Sequence, residues 1–144
     1  MMPKSPVCFG LLLGLVTATA SQAQSVERLD LVCSVESRYA YTDPDRRGGV
    51  ERVEHRFRID LASRQFCADQ CHVLFNLPEN TTSELDLTHR PMLSDGTPHE
   101  VDLSVTVNRL TGRVMTESRS ERLTTHGMGQ CQRELFSGFP APMF

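Results

Sequence analysis

Tryptophan is absent from this chain of 144 residues, and lysine occurs once, at Lys4. A core without tryptophan must take its aromatic volume from the seven phenylalanines, which are spread along the whole chain. There is no excess of positive charge: 15 basic residues stand against 18 acidic ones, for a net charge of −3. That balance leaves no electrostatic footprint for nucleic acid. No apolar run approaches the roughly 20 residues of a membrane-spanning helix. Beyond residue 23, no stretch keeps a helical period through several turns, which excludes a long amphipathic helix.

Reactive motifs are missing as well. Neither Gly-x-Ser-x-Gly nor His-Glu-x-x-His occurs, so the corresponding hydrolase and zinc-protease chemistries have no carrier. Glu51 and Glu54 share one expected strand and give no basis for a glycosidase carboxylate pair. Asp43-x-Asp45 opens like a calcium loop, but Pro44, Arg46 and Arg47 break its ligand pattern. Cys67-x-x-x-Cys71-His72 groups soft ligands, yet a zinc site needs a second pair, and His55, His89, His99 and His126 are scattered. No metal, cofactor or catalytic residue is therefore expected. A metal or redox role for Cys67, Cys71 and His72 stays as an outlying alternative.

The first residues read as a cleavable secretory signal. Lys4 supplies a positive start, Val7 to Val16 an apolar stretch of about 10 residues, and Ser21-Gln22-Ala23 a small-residue cleavage site. Cleavage is expected after Ala23, with Ala20 as the second choice. No cysteine stands at that junction to carry a lipid. The mature chain keeps about 120 residues, enough for one domain with a modest core. Every basic residue left in it is arginine. That reads as compositional bias of a GC-rich genome rather than as carboxylate clamping by guanidinium forks.

Four cysteines remain: Cys33, Cys67, Cys71 and Cys131. An even count in an exported domain implies disulfides. The choice among the three pairings follows from the strands. Leu29, Leu31, Cys33 and Val35 alternate with polar residues, as do Val53, His55, Phe57, Ile59 and Leu61. The turn Asp43–Gly49 joins these two strands as a hairpin. Further alternation runs over Cys71–Leu77, Leu85–Leu87, Val101–Asn108, Val114–Leu123 and Met128–Phe136. The expected fold is all-β: a single antiparallel up-and-down sheet of six to eight strands, strongly curled or barrel-like, after a signal-peptide helix. In such a meander the first and last strands can meet. Cys33–Cys131 would then tie them, and Cys67–Cys71 would clamp a turn. A bond closing nearly 100 residues is worth roughly 4–5 kcal/mol in the chain-entropy model.

The domain organisation expected is 1–23 signal peptide, 24–136 β domain and 137–144 an apolar, proline-rich tail. Pro140 and Pro142 keep the tail from being a final membrane strand; it is expected to pack over the open end of the core. The strand from Arg113 to Leu123 has no strongly apolar face and reads as a charged edge strand, with a polar groove wall as the other option. Candidate binding residues are His55, which lies on an apolar parity, Arg119, Phe139 and Phe144. Asn80-Thr81-Thr82 is a formal glycosylation sequon.

Ile59-Asp60-Leu61 before Phe66-Cys67, the stretch Asn108-Arg109-Leu110-Thr111-Gly112-Arg113, and Gly129-Gln130-Cys131 together resemble small uncharacterised exported β-rich proteins of Gram-negative bacteria. That resemblance implies a periplasmic or secreted β domain and carries over no functional residue. Periplasmic lysozyme-inhibitor barrels are similar in size and disulfide habit. Their Ser-Gly-x-x-Tyr signature is replaced here by Ser137-Gly138-Phe139-Pro140. The expected role is a non-enzymatic binding or interaction domain, with a protein or small molecule as partner. Inhibition of a secreted hydrolase such as lysozyme is the alternative.

Overall fold

Alternation at Leu29, Leu31, Cys33 and Val35 requires a strand with one buried face, and a computed structural model of the chain has it. Residues 28–78, 83–93 and 95–140 are described; the signal segment, the Asn80 sequon and Phe144 lie outside them. The strands are β1 (Arg28–Tyr41), β2 (Gly49–Asp60), β3 (Gln65–Ala68), β4 (Phe75–Asn76), β5 (Glu84–Asp86), β6 (Ser104–Asn108), β7 (Arg113–Arg119) and β8 (Leu123–Glu134). Among the described residues there is no helix, and none long and apolar enough to cross a membrane.

All eight strands form one antiparallel sheet in the order β4-β3-β2-β1-β8-β7-β6-β5. Every consecutive pair except β4 and β5 is adjacent in the sheet, and the first strand also pairs with the last. The sheet is thus a curled half-barrel, open between β4 and β5. β1 carries the two longest ladders, to β2 from Arg28↔Asp60 to Tyr39↔Gly49 and to β8 from Asp30↔Glu134 to Tyr41↔Leu123. Cys33 lies directly opposite Cys131 and is bonded to it; Cys67 is bonded to Cys71. Within the second loop, Asp69 (φ 50°) and Cys71 (φ 62°) take the left-handed conformation, which disfavours side chains with a Cβ. The disulfide clamps a turn that the backbone alone would hold less firmly.

The inner face is filled by Phe57, Ile59, Phe66, Leu87, Val35, Val105, Val107 and Val114, all essentially buried. Two inward positions on β8 are glycines, and both are required. A Cβ on Gly127 would collide with Thr116 and Val35, and one on Gly129 with the backbone of Ser34. β8 therefore sits tightly against the residues beneath it, as close backbone approach at a strand glycine allows.

Several expectations are corrected. β7 is not an edge: it lies between β6 and β8, and of its outward charges Glu117 lines a groove. The edges are β4 and β5. Cys71–Leu77 forms only the two-residue β4, because the left-handed turn at Cys71 breaks the ladder. β6 starts at Ser104 rather than Val101, and β8 begins at Leu123, before Met128. The tail does not plug the open core. It turns back over the solvent side of β1 and β2, where the Ser137 hydroxyl donates to fully buried Asp30 at 2.6 Å and Arg58 Nη1 donates to the Gly138 carbonyl at 3.3 Å. Arg58 Nε, buried beneath it, has no hydrogen-bond partner among the described residues.

Candidate functional site

Outward positions on four adjacent strands build a trough. β1 contributes Glu36 and Arg38, β8 His126 and Met128, β7 Met115 and Glu117, and β6 Ser104 and Thr106. Register sorts them into two rows across the sheet. One row is Glu36, Met128, Met115 and Thr106; the other is Arg38, His126, Glu117 and Ser104. Their trough has a volume of about 740 Å³. Met115 and Met128 are each 63 % exposed, and Arg38 Nη2 lies 3.4 Å from Glu36 Oε1.

A smaller cleft of about 220 Å³ lies at the open side of the sheet, among Asp69, His72, Phe75, His89, Arg90 and Leu93. No hydrogen-bond ladder joins β4 to β5; side chains close the seam. His89, following β5, is buried, and its ring centre lies 5.4 Å from Phe75, 5.9 Å from Phe57 and 6.1 Å from Phe66. Its Nδ1 donates to the Leu87 carbonyl at 2.9 Å. Burial pushes the His89 imidazole below its ordinary 6.5, against the opposing effects of that hydrogen bond and of Asp69. Asp69 itself accepts from the Arg56 amide at 3.1 Å and sits 3.8 Å from His55 Nδ1. Burial raises its carboxyl, but the His55 and Arg56 hydrogen bonds and nearby imidazoles outweigh burial and leave it lowered. Among the described residues, none of those lining this cleft is Ser, Thr or Cys.

His89 makes stability depend on pH. The unfolded imidazole takes up a proton near 6.5, whereas the folded one resists it to lower pH. Stability is whole above 6.5 and falls as pH drops from 6.5 towards the folded value. Asp60 and Asp69, both held below 3.8, add a separate loss at more acidic pH. The urea midpoint is expected to fall as pH drops below 6.5, and His89→Phe to flatten that step while leaving the acid limb. An unchanged step in His89→Phe would show that another group sets it.

The sequence candidates fall in different places. His55 is half-buried on the inner face at the seam, beside Phe57. Arg119 is exposed at the end of β7, opposite Thr124, and does not line the trough. Phe139 packs edge-on against Phe136 in the tail, with ring centres 5.3 Å apart. With Cys67 and Cys71 joined, His72 is left exposed on Gln70, 2.9 Å away, and the cluster offers a metal no thiolate. Among the described residues, no group of three or more His, Cys, Asp or Glu is placed to hold a metal ion. Counting from Asp43, Gly48 and Glu54 stand at the sixth and twelfth positions of a calcium-loop spacing. β2 begins at Gly49 and carries Glu54 up the ladder opposite Ser34, so no such loop closes.

Sequence reading missed Met115, His126 and Met128. The signal was present as His-x-Met on β8 facing Met-x-Glu on β7, but only register shows that these tripeptides are opposed. The fold and trough define a disulfide-tied, curled antiparallel β domain with a groove on its outer face. No family model, curated protein or solved structure matches the chain.

Proposed function

We propose that this chain is a non-enzymatic, exported binding domain that takes its ligand or partner in the outer-face trough. One observation carries the reading: the trough, at about 740 Å³ against 450 Å³ for a cleft between Glu100 and Arg122 and 220 Å³ for the one at the seam, combines apolar floor with paired polar walls. Such a mixture suits recognition, in which apolar area supplies affinity and a few polar groups fix orientation. The disulfides fit an oxidising compartment.

A trough-filling substitution tests it. Thr106→Trp, on the rim and outside the hydrophobic core, is expected to weaken any ligand found by thermal-shift screening by at least about tenfold, the effect of one lost contact worth about 1.4 kcal/mol. Removal of residues 135–144 is expected to leave that binding intact. Binding that survives Thr106→Trp but is lost on tail removal would move the site to the tail. A hydrolase bound through Leu110, which is 83 % exposed on the β6–β7 hairpin, would replace this reading by inhibition. Failure to find any ligand counts against it.

A further inference from the structure

Met115 and Met128 face one another across adjacent strands on the solvent side of the sheet. At 63 % exposure each, they gain little from burial, so packing does not explain their placement. We propose that Met115, Met128 and His126 form a binding site for a soft monovalent cation, copper(I), on the floor of the trough. The inference rests on the trough reading and supplies its ligand.

Register sets the convergence. Directly opposed residues have Cβ atoms about 4.5–5.5 Å apart, and diagonal ones about 7–8 Å. Met115 and Met128 are directly opposed; His126 is diagonal to Met115 and two residues before Met128, on the same face. Methionine is unbranched and flexible, so both sulfurs can reach a common point above the sheet with the imidazole. Gly127, between His126 and Met128, puts no side chain on the inner face and keeps β8 seated against Thr116 and Val35. His126 has Glu117 opposite it on one side and Arg38 on the other. A carboxylate beside a ligating imidazole orients the ring and raises its basicity.

The donor set chooses the ion. Thioethers are soft and uncharged and do not hold hard cations such as magnesium or calcium. Zinc sites are built instead from thiolate, imidazole and carboxylate. Copper(I) accepts two thioethers and an imidazole, each donating a lone pair, with no change of oxidation state. Glu36 and Glu117 against Arg38 leave the surroundings with one excess negative charge, which suits a monovalent cation. The four cysteines of the described domain are tied in disulfides and do not compete for it.

Silver(I), the redox-inert counterpart of copper(I), provides the test on the full oxidised chain carrying Cys8→Ser and 13C-methyl methionine. The methyl signals of Met115 and Met128 are expected to shift together and saturate at a single equivalent, with the His126 ring, while that of Met92 stays in place. Met115→Leu, Met128→Leu and His126→Gln are each expected to weaken copper(I) binding, measured by competition with a chromophoric chelator, by at least about tenfold. Loss of an outer-shell partner already costs about 10–100-fold, and a direct ligand no less. Unmoved Met115 and Met128 methyls, or binding that survives both leucine variants, overturns the proposal. If silver(I) leaves both methyls unmoved while some other ligand is still lost in Thr106→Trp, the metal assignment fails and the trough reading stands.

Discussion

Replacing Cys33 and Cys131 together by alanine is expected to remove about 4–5 kcal/mol of stability, and the Cys67/Cys71 pair only about 2. The difference comes from loop length. The first bond joins residues 98 apart in sequence, the second residues 4 apart, and the entropy withheld from the unfolded chain grows with the logarithm of the loop. A domain of this size has a total stability of about 5–15 kcal/mol, so the first loss takes a large share. Topology adds a reason. β1–β4 and β5–β8 are two consecutive meanders, and the ladder between β1 and β8 is the hydrogen-bonded junction between them. Cys33–Cys131 crosses that junction in register. Urea unfolding of the two double variants under oxidising conditions measures the ranking. Equal losses would mean that the junction is held by its ladder and not by the bond.

How much of this could be read from the residues depends on what fixes each feature. Period-two alternation is a local property, so β1, β2 and the pairing Cys33–Cys131 were legible from Leu29, Leu31, Val53 and Phe57. The up-and-down order followed because short turns join most of these strands. β7 was misread for a physical reason. Its inward residues are Val114, Thr116 and Ser118, small because the glycines of β8 bring the neighbouring backbone close. A strand facing glycines needs little volume and looks polar although it is central. β4 failed differently: Val73 and Phe75 alternate correctly, but left-handed Cys71 redirects the chain before a ladder can form. The tail's destination was not legible because it is set by one buried carboxylate, Asp30. On β1 that residue has the parity of an ordinary exposed side chain, and its burial is explained by distant partners, Ser137, 107 residues away, and the Arg56 guanidinium at 3.9 Å.

The trough was the least legible feature, for a similar reason. None of its residues is unusual in sequence, and the rows Glu36–Met128–Met115–Thr106 and Arg38–His126–Glu117–Ser104 exist only in the register of four strands. A slip of one residue anywhere would send those side chains to the other face. The glycines at 127 and 129 guard against such a slip on β8, since it would bring His126, Met128 or Gln130, each with a Cβ, to positions where the inner side has no room for one.

The seam between β4 and β5 yields the second large effect. Phe66→Ala is expected to cost about 3–5 kcal/mol, the range for emptying a buried phenylalanine site, and to lower Tm by on the order of 15 °C. Phe66 is fully buried, with ring centres of Phe75 and His89 at 5.4 and 6.1 Å. Elsewhere in the sheet a lost side chain leaves the ladder to hold the strands. Here no ladder spans the gap, so these rings are what keeps the two edges together, and the cavity lies at their meeting point. Amides of β3 and β4, with those of Leu87 and His89, are expected to lose protection from hydrogen exchange before β1 and β8 do. Val114→Ala, in the laddered interior of the sheet, serves as the comparison and is expected to destabilise less and without local opening at the seam. Uniform loss of protection across all strands in Phe66→Ala would instead show that the half-barrel opens as one cooperative unit, with the seam as firmly held as the ladders.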